Sequence, residues 1–244
     1  MLRVEPDGSV TTLTLDRPDV RNAFNEELIA RLTEAYRSVQ ARVVVLRGEG
    51  KAFCAGGDLE WMRRAAGYSK VENVADAMKL ADLFRAVAEC PALTIARVHG
   101  ACFGGGCGLV AASDVAIASS EAVFSFSEVR LGLIPGTIST HVIPKIGPGH
   151  ARALFATGEA FGAERALRIG LVHEVGDLDV LTSAKVEQAL SVGPHAVAES
   201  KRLVRDFPIT AEESARRLAD ARASDEGREG LSAFLEKRKP SFAE

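Results

Sequence analysis

The spacing of hydrophobic residues changes period several times along the chain, which predicts alternating strands and helices. Val10–Leu15 alternates apolar residues with threonine and predicts a half-buried strand. Val43–Leu46 is a continuous β-branched and leucine run, typical of a strand covered on both faces, and Leu93–Val98 predicts another buried strand. Between the first two strands, Asn25 is a candidate helix N-cap, and apolar residues follow at helical spacing in Leu28–Val39. This part of the chain therefore predicts an α/β structure.

The remaining elements continue this alternation, and from Leu181 onward the pattern is helical throughout. Helix breaks are predicted at Gly193-Pro194 and near Gly227–Gly230, and the polar segment Ala65–Val74 is expected to be flexible. We therefore divide the chain into an α/β core, residues 1–192, and a helical C-terminal region, residues 193–244. The other predicted elements are helices at Asp76–Val87, Leu109–Ala112, Ala151–Phe155 and Ala163–Ile169, and strands at Val115–Ala118, Val123–Phe126 and Leu171–Val175.

Composition and charge narrow the classes of partner. The chain has 244 residues, 47% of them hydrophobic, and a formal net charge of −3. This balance argues against nucleic acid or a membrane surface as the main partner, so an anionic ligand would need local basic residues. No apolar run approaches the roughly 20 residues that span a bilayer, and the N-terminus lacks the apolar stretch of a signal peptide. We expect a cytoplasmic protein.

The cysteines and histidines show no metal-binding spacing. The four cysteines are Cys54, Cys90, Cys102 and Cys107. None belongs to a CxxC motif, and all lie among apolar or glycine residues, so we expect reduced and mostly buried thiols. The five histidines are scattered without an HExxH motif. No metal site is expected.

Glycines gather between the strand Leu93–Val98 and the helix at Leu109–Ala112. His99 and Gly100 come first, and three glycines follow in a row at Gly104–Gly106. Glycine allows the backbone a positive φ and lets a ligand approach without meeting a Cβ. The first N–H groups of the helix are unpaired and carry the positive end of its dipole, which suits a phosphate or an oxyanion formed during a reaction. The spacing matches no nucleotide-binding motif, and close packing of the helix on a strand is an equal alternative.

Five segments of the chain fit one known pattern in order and spacing. FCAGGDLEWM (Phe53–Met62) and VHGACFGGGCGLVAASDVAIA (Val98–Ala118) contain the two glycine loops, each of which follows a predicted strand. FSFSEVRLGLIPG (Phe124–Gly136) is a third segment, and LDRP…NAFN (Leu15–Asn25) and GLSAFLEKRKPSF (Gly230–Phe242) complete the set. Together they resemble the signature segments of the enoyl-CoA hydratase/isomerase (crotonase) superfamily, and the resemblance covers nearly the whole chain.

The resemblance implies a fold, a ligand and an oxyanion site. The fold would be a spiral of ββα turns whose helical C-terminal region builds homotrimers or dimers of trimers. The ligand would be an acyl-CoA thioester, with no separate cofactor because CoA is part of the substrate. In the family, two backbone N–H groups bind the thioester oxygen, and the matching positions here are Gly57 and Gly105. Chemistry beside a thioester carbonyl passes through an enolate, which two fixed donors would stabilise.

The family's contacts to adenine and pantetheine come largely from the first glycine loop. The resemblance therefore makes Ala55, Gly57, Asp58 and Leu59 candidates for CoA binding. Lys51, Arg21 and Lys237 are candidates for the CoA phosphates, although each is equally consistent with a solvated surface charge. Trp61 and Met62 are expected to pack in the wall of the acyl or adenine pocket.

The acid–base residues depart from the family pattern at one position. Two-carboxylate hydratases of the family carry a glutamate immediately after GGGC, where this chain has Gly108. The second glutamate is retained as Glu128, next to Phe124 and Phe126. Such neighbours can raise the pKa of a carboxyl group and suit it to general acid or base catalysis, whereas without the family an exposed loop glutamate would be favoured. We expect a glutamate introduced at Gly108 to be accommodated near the helix N-terminus.

Three histidines are expected to be structural: His99, His141 and His173. His141 follows the Glu128 segment closely enough to reach an acyl pocket as well.

A single glutamate leaves two enzymatic interpretations open, a hydratase on one side and an enoyl-CoA isomerase or other crotonase-type lyase on the other. Several isomerases of the family move a double bond with one glutamate at the Glu128 position. A branch of bacterial hydratases, however, combines segments similar to CFGGGCGLVAASDVAIA and SEVRLGLIPGTIS, and its members act on 3-methylglutaconyl-CoA in leucine breakdown or on isohexenylglutaconyl-CoA in terpene breakdown. We favour the hydratase and the shorter substrate, whose own carboxylate would help to place water. A non-enzymatic CoA-binding protein is a third reading, against which Glu128 argues.

Overall fold

Strands alternate between two sheets in the structure, a computed structural model that describes all residues 1–244. The strands are β1 (Leu2–Asp7), β2 (Val10–Leu15), β3 (Val43–Gly48), β4 (Ala52–Cys54), β5 (Leu93–Val98), β6 (Ala101–Phe103), β7 (Val115–Ala118), β8 (Val123–Ser125), β9 (Ala160–Gly162) and β10 (Glu174–Val175). The helices are α1 (Glu26–Ser38), α2 (Leu59–Ala65), α3 (Lys70–Glu89), α4 (Gly105–Ala112), α5 (Gly136–Thr157), α6 (Ala163–Arg168), α7 (Leu178–Leu190), α8 (Pro194–Arg205), α9 (Ala211–Ala223) and α10 (Asp225–Leu235).

The two sheets confirm the expected spiral of ββα turns. The larger sheet has the order β1-β2-β3-β5-β7-β10 and the smaller one β4-β6-β8-β9. Both are parallel except for the pairing of β1 with β2 and of β8 with β9. The chain runs from a strand of the larger sheet to one of the smaller sheet and then into helices, as in β3–β4, β5–β6 and β7–β8. Each turn thus adds one strand to each sheet.

The larger sheet is covered on both faces, as the run Val43–Leu46 predicts. Val44 and Leu46 point into the main hydrophobic core, whereas Val43 and Val45 point into a smaller core on the opposite face. Helix α7 covers this smaller core and contributes the buried Ala189. Apolar residues of α1, α3, α4 and α5 fill the main core.

Local capping explains where α3 differs from its predicted bounds. The polar segment Ala65–Val74 is expected to be flexible, but α3 already begins at Lys70. The Ser69 side chain accepts a hydrogen bond from the Glu72 N–H, and the Glu72 carboxylate accepts one from the Ser69 N–H. This capping box stabilises a first turn that buries no side chain, so hydrophobic periodicity carries no signal there.

Helix α5 is the largest element that the pattern predicts only in part. The expected helix covers Ala151–Phe155, whereas α5 extends over Gly136–Thr157. Its two helical stretches meet at a kink at Gly147, where φ is 78°. Pro144 and Pro148 flank this kink, and prolines and glycines in the sequence argue against a continuous helix.

The helical C-terminal region has its predicted first break, and its second is displaced from the glycines. Helices α7 and α8 are separated at Gly193-Pro194, in agreement with the sequence. The break expected near Gly227–Gly230 does not lie at the glycines, because both are inside α10. The chain breaks instead before α9 and at Ser224, whose hydroxyl caps α10 by accepting from the Gly227 N–H. The division between residues 1–192 and 193–244 stays a prediction.

Several strands also differ from expectation, and the short strands β4, β6 and β9 are not predicted at all. Strand β1 is not predicted, because five of its six residues are exposed at the sheet edge. The strand expected at Leu171–Val175 is limited to Glu174 and Val175. No helix combines the length and apolar character that crossing a bilayer requires.

Candidate active site

Three segments that are distant in sequence meet at one place. A Cβ built on Gly104 would lie 3.2 Å from Oε1 of Glu128 and 3.9 Å from Cα of Gly56. The two glycine loops and the retained glutamate are therefore neighbours, as the resemblance of their sequence segments to the family implies.

The smaller sheet explains this convergence. Strands β4, β6 and β8 lie side by side and parallel, with Cys54 opposite Cys102 and Phe103 opposite Ser125. Gly56 follows β4, Gly104 follows β6, and Glu128 follows β8. Because the carboxyl ends of parallel strands meet at the same edge of a sheet, ligand sites commonly form there.

The N–H of Gly57 has no partner within the chain. Gly57 forms an isolated parallel bridge with Phe24, in which the Phe24 N–H donates to the Gly56 carbonyl at 2.7 Å and the Asp58 N–H donates to the Phe24 carbonyl at 2.8 Å. This pairing uses the groups on both sides of Gly57 and leaves its own N–H free to bind a ligand oxygen.

The N–H of Gly105 is the second free donor. Gly105 is the first residue of α4, so its N–H has no acceptor within the helix. Gly104 before it has φ of 49°, and its N–H donates to the Ser125 carbonyl at 2.9 Å. Glycine is needed at Gly104 because this positive φ strains other residues. The positive end of the helix dipole adds to the attraction for an oxyanion.

Glu128 is a half-buried carboxyl group in a short 3₁₀ helix, Ser127–Leu131. Its Oε2 is buried and has no hydrogen-bond partner within the chain. Burial raises the pKa of Glu128 above its usual value, although a hydrogen bond from its own backbone opposes the shift. This is the direction expected from its apolar neighbours, and a raised pKa suits the group to general acid or base catalysis.

Asp58 holds the first glycine loop in place. Its Oδ1 accepts hydrogen bonds from the N–H groups of Glu60 and Trp61 and thereby caps α2, while its Oδ2 accepts one from Nη2 of Arg17 at 2.7 Å. Burial disfavours the charged form, but these donors outweigh it and hold the pKa of Asp58 below its usual value. The Asp58 side chain is therefore committed to the loop, and its main-chain N–H and carbonyl are also hydrogen-bonded, to Phe24 and Met62.

Replacing Arg17 by leucine is expected to lower the free energy of unfolding by about 3 kcal/mol, because Asp58 would keep a buried charge without its partner. Both side chains of this pair are largely buried, at 17% and 9% exposure. Denaturant unfolding measures the change. Arg63→Leu is the matched control, since its ion pair with Glu60 is exposed, and we expect no measurable change there. Equal effects of the two substitutions would contradict a structural role for the Arg17–Asp58 pair.

Two glycines of the central segment are also required for close packing. A Cβ on Gly105 would lie 2.6 Å from Cε2 of Phe24, and one on Gly106 would lie 2.7 Å from the Cys54 carbonyl oxygen. The packing interpretation and the ligand-binding interpretation thus both apply to this segment. At Gly57 the situation differs, because a Cβ would meet Met62 and Trp61 at ordinary contact distances of 3.4 and 3.6 Å.

The expectation that a glutamate would be accommodated at Gly108 is wrong. Gly108 is buried, and a Cβ there would lie 2.6 Å from both Cζ of Phe84 and Cγ2 of Ile138. The edge of the Phe84 ring also contacts His141, with centroids 6.3 Å apart. Apolar side chains therefore fill the space that a second carboxylate would enter.

The candidate CoA-binding residues are only partly brought together. The Ala55 N–H donates to the Arg21 carbonyl at 3.0 Å, so Arg21 lies beside the first loop. Leu59 is 70% exposed at the start of α2. Lys51, just before β4, and Lys237, just after α10, are both exposed on the surface.

The histidines and cysteines occupy mostly structural positions. Nδ1 of His173 accepts a hydrogen bond from the Ala116 N–H at 2.9 Å, and His99 pairs with the Gly50 carbonyl. Burial lowers the pKa of His141, which is half-buried against Phe84. All four cysteines are free and buried, as predicted.

Sequence reasoning missed two residues that shape the site, Arg17 and Phe24. Both lie in the segment LDRP…NAFN, which carried the resemblance without suggesting a role for either residue. Their positions depend on the bridge to Gly57 and on the pair with Asp58, neither of which has a signal in the sequence.

Two free backbone donors beside one half-buried carboxyl group are characteristic of enzymes that stabilise an oxyanion while moving a proton nearby. A family model described as enoyl-CoA hydratase/isomerase matches residues 5–244. The chain therefore belongs to the enoyl-CoA hydratase/isomerase family.

Individual relatives agree over nearly the full length. A crotonyl-CoA hydratase from Syntrophomonas wolfei is 33% identical, with 98% of this chain and 96% of the relative covered. The crystal structure of an enoyl-CoA hydratase from Shewanella pealeana has a TM-score of 0.95 at 39% identity and covers 98% of this chain and 95% of its own. Pseudomonas aeruginosa AtuE also gives a TM-score of 0.95, at 36% identity, with 100% and 99% covered.

Proposed function

We propose that this protein interconverts 3-methylglutaconyl-CoA and 3-hydroxy-3-methylglutaryl-CoA, with Glu128 as the acid–base residue and the N–H groups of Gly57 and Gly105 as the oxyanion hole. The protein is an enzyme of the hydro-lyase type, related to enoyl-CoA hydratases over its whole length. The observation that carries the proposal is the meeting of Gly56, Gly104 and Glu128 at one sheet edge.

The reaction begins when the two N–H groups bind the thioester oxygen. Water then adds to the β carbon, its O–H bond breaks as the C–O bond forms, and the electron pair moves to the thioester oxygen as an enolate. Glu128 accepts the proton from water and returns a proton to the α carbon, which restores the thioester. Mutagenesis of one oxyanion-hole donor in another enzyme gave an effect of about 2.7–4 kcal/mol, so two donors supply a large part of the barrier reduction.

CoA binding is proposed at the first glycine loop. Gly57, which carries one of the proposed oxyanion donors, and Leu59 are both exposed in this loop. The Ala55 N–H donates a hydrogen bond to the Arg21 carbonyl. We propose that this loop, with Ala55, Gly57, Asp58 and Leu59, contacts the adenine and pantetheine. The cations assigned to the phosphates remain Arg21, Lys51 and Lys237.

The choice of 3-methylglutaconyl-CoA rests on the position of Gly108. Phe84 and Ile138 exclude a second carboxylate, so Glu128 is the one protein carboxylate that can hold the attacking water. A carboxylate on the substrate would help to hold this water. The segments CFGGGCGLVAASDVAIA and SEVRLGLIPGTIS support this choice through their resemblance to glutaconyl-CoA hydratases.

A screen of enoyl-CoA thioesters tests this substrate assignment. Crotonyl-CoA, which has no distal carboxylate, is expected to be hydrated with kcat/KM more than about tenfold below that of 3-methylglutaconyl-CoA, a difference of about 1.4 kcal/mol in transition-state binding. Loss of the conjugated-thioester absorbance measures both rates. Equal rates on the two substrates would contradict a role for the substrate carboxylate.

An enoyl-CoA isomerase is the second candidate, favoured by the absence of a carboxylate at Gly108. In that reaction Glu128 would remove a proton from one carbon and return it to another. No water would add, so the product would be an isomer of the substrate.

We also propose that the helical C-terminal region joins copies of this chain into a trimer or a dimer of trimers. Large apolar residues on it are exposed in the single chain, among them Phe207, Phe234 and Leu235 at 76–80%. Burying these side chains between subunits would supply about 25 cal/mol per Å² of apolar surface. Light scattering is expected to give three or six times the 25.9 kDa chain mass. A stable monomer at micromolar concentration would contradict this assembly.

A further inference from the structure

One residue contacts both of the glycines that carry the oxyanion donors. The main chain of Phe24 brackets Gly57 through its hydrogen bonds with Gly56 and Asp58, at 2.7 and 2.8 Å. Its ring lies against Gly105, with Cε2 and Cδ2 at 2.6 and 2.8 Å from the place of a Cβ. Phe24 therefore spans the gap between the two glycine loops.

Phe24 is itself fixed from several directions. Its ring is 1% exposed and belongs to the main core. The preceding carbonyl, of Ala23, accepts a hydrogen bond from Nη1 of Arg17, and Arg17 also pairs with Asp58. The following residue, Asn25, caps α1 by accepting from the Leu28 N–H. A side chain held in this way can act as a spacer, because neither its main chain nor its ring is free to shift.

We propose that Phe24 is a positioning residue that sets the separation between the N–H groups of Gly57 and Gly105. This inference rests on the proposed oxyanion hole and adds a residue that touches neither substrate nor proton. The main chain of Phe24 fixes the first donor and its ring fixes the second. Glycine is required at Gly105 because the ring occupies the position of a Cβ, and a side chain there would push the two donors apart.

The first test replaces Phe24 by leucine, which keeps an apolar side chain but removes the ring. A loss of alignment at a reacting centre can cost about 10²-fold, so we expect kcat to fall by about 10- to 100-fold. The KM and the dissociation constant of free CoA, which has no thioester carbonyl, are expected to stay within about twofold, because Phe24 contacts no ligand. Leu32→Ala is the control, since it also truncates a fully buried side chain but is not among the nearest neighbours of either glycine. A kcat of Phe24→Leu within twofold of the wild-type value would overturn the proposal.

A second test pairs Phe24→Leu with Gly105→Ala. Alone, Gly105→Ala is expected to lower kcat by about 10²-fold or more, because its methyl group collides with the ring. In the double variant the leucine leaves room for that methyl group, so kcat is expected to exceed the product of the two single effects by at least about tenfold. Effects that simply multiply would show that the ring and Gly105 do not act as a unit.

A spectroscopic readout separates this inference from the proposed function. A conjugated aryl-acyl-CoA absorbs at longer wavelength when hydrogen bonds polarise its carbonyl, whether or not water is added. The wild-type protein is expected to produce this shift, Leu32→Ala to retain it, and Phe24→Leu to lose most of it. A wild-type protein that produces no shift would overturn the oxyanion hole itself. A wild-type shift that Phe24→Leu leaves unchanged would overturn only the role of Phe24.

Discussion

Replacing Glu128 by glutamine is expected to lower kcat by about 10²–10⁴-fold, because it removes the one group positioned to exchange a proton beside the two backbone donors. Glutamine is nearly the same size, so the acyl-CoA dissociation constant is expected to change little. Steady-state kinetics and equilibrium binding measure the two quantities. Glu121→Gln is the matched control, as Glu121 is exposed on the turn before β8, and it is expected to keep full activity. Glu128 would not be the acid–base residue if its variant kept more than a tenth of the activity.

The pKa of Glu128 predicts the pH dependence of both activity and stability. Since burial raises this pKa in the folded protein, the acid limb of kcat/KM is expected above the usual range for glutamate, with activity rising as Glu128 ionises. For stability, a raised folded-state pKa means that this group's contribution is fully present at low pH and lost as pH rises through the folded value. Glu128→Gln, which cannot ionise, is therefore expected to melt at the same temperature as wild type or higher at neutral pH. A lower melting temperature at neutral pH would contradict the cost of burying the ionised carboxylate.

Replacing Gly108 by glutamate is expected to cause the largest loss of stability. Its Cβ would lie 2.6 Å from both Phe84 and Ile138, and its charge would enter an apolar environment. Overpacking of this kind costs about 1–3 kcal/mol, and a buried unpaired carboxylate adds to it. We expect little folded protein, measured by soluble yield and thermal unfolding.

A second variant shows whether Phe84 is the cause. Phe84→Ala combined with Gly108→Glu removes the ring that occupies part of the space, so the double variant is expected to lose less stability than the sum of the two single losses. Phe84→Ala by itself is the reference, with an expected cost of about 3–5 kcal/mol. If Gly108→Glu folded as well as wild type, the apolar filling of this space would not explain why a second carboxylate is absent.

The sequence predicts elements well where a hydrophobic period continues through them. Val10–Leu15 and Leu93–Val98 coincide with β2 and β5, and Asn25 caps α1 as expected. Prediction from hydrophobic periodicity fails where an element is stabilised by something other than the burial of regularly spaced apolar residues. The capping box at Ser69 begins α3 in a polar segment. In α5, Gly147 joins two helical stretches, and the prolines beside it argue in the sequence against a continuous helix.

The candidate site, too, can be predicted from the sequence only in part. Motif resemblance predicts which residues belong together, because Gly57, Gly105 and Glu128 each lie in a recognisable segment. It does not predict what surrounds them, since the contacts of Gly105 with Phe24 and of Gly108 with Phe84 depend on tertiary packing. A glycine in a motif therefore has two possible reasons, an approaching ligand or a neighbouring side chain, and only the structure separates them.

Hydration by a single glutamate is tested most directly by following the oxygen of water. The enzyme is incubated with 3-methylglutaconyl-CoA in ¹⁸O-labelled water, and the product is analysed by mass spectrometry, with Glu128→Gln as the control. The expected product is 3-hydroxy-3-methylglutaryl-CoA with one ¹⁸O atom in its new hydroxyl group, formed by wild type and not by the variant. A product isomeric with the substrate and free of ¹⁸O, or equal labelling by Glu128→Gln, would contradict hydration by a single glutamate.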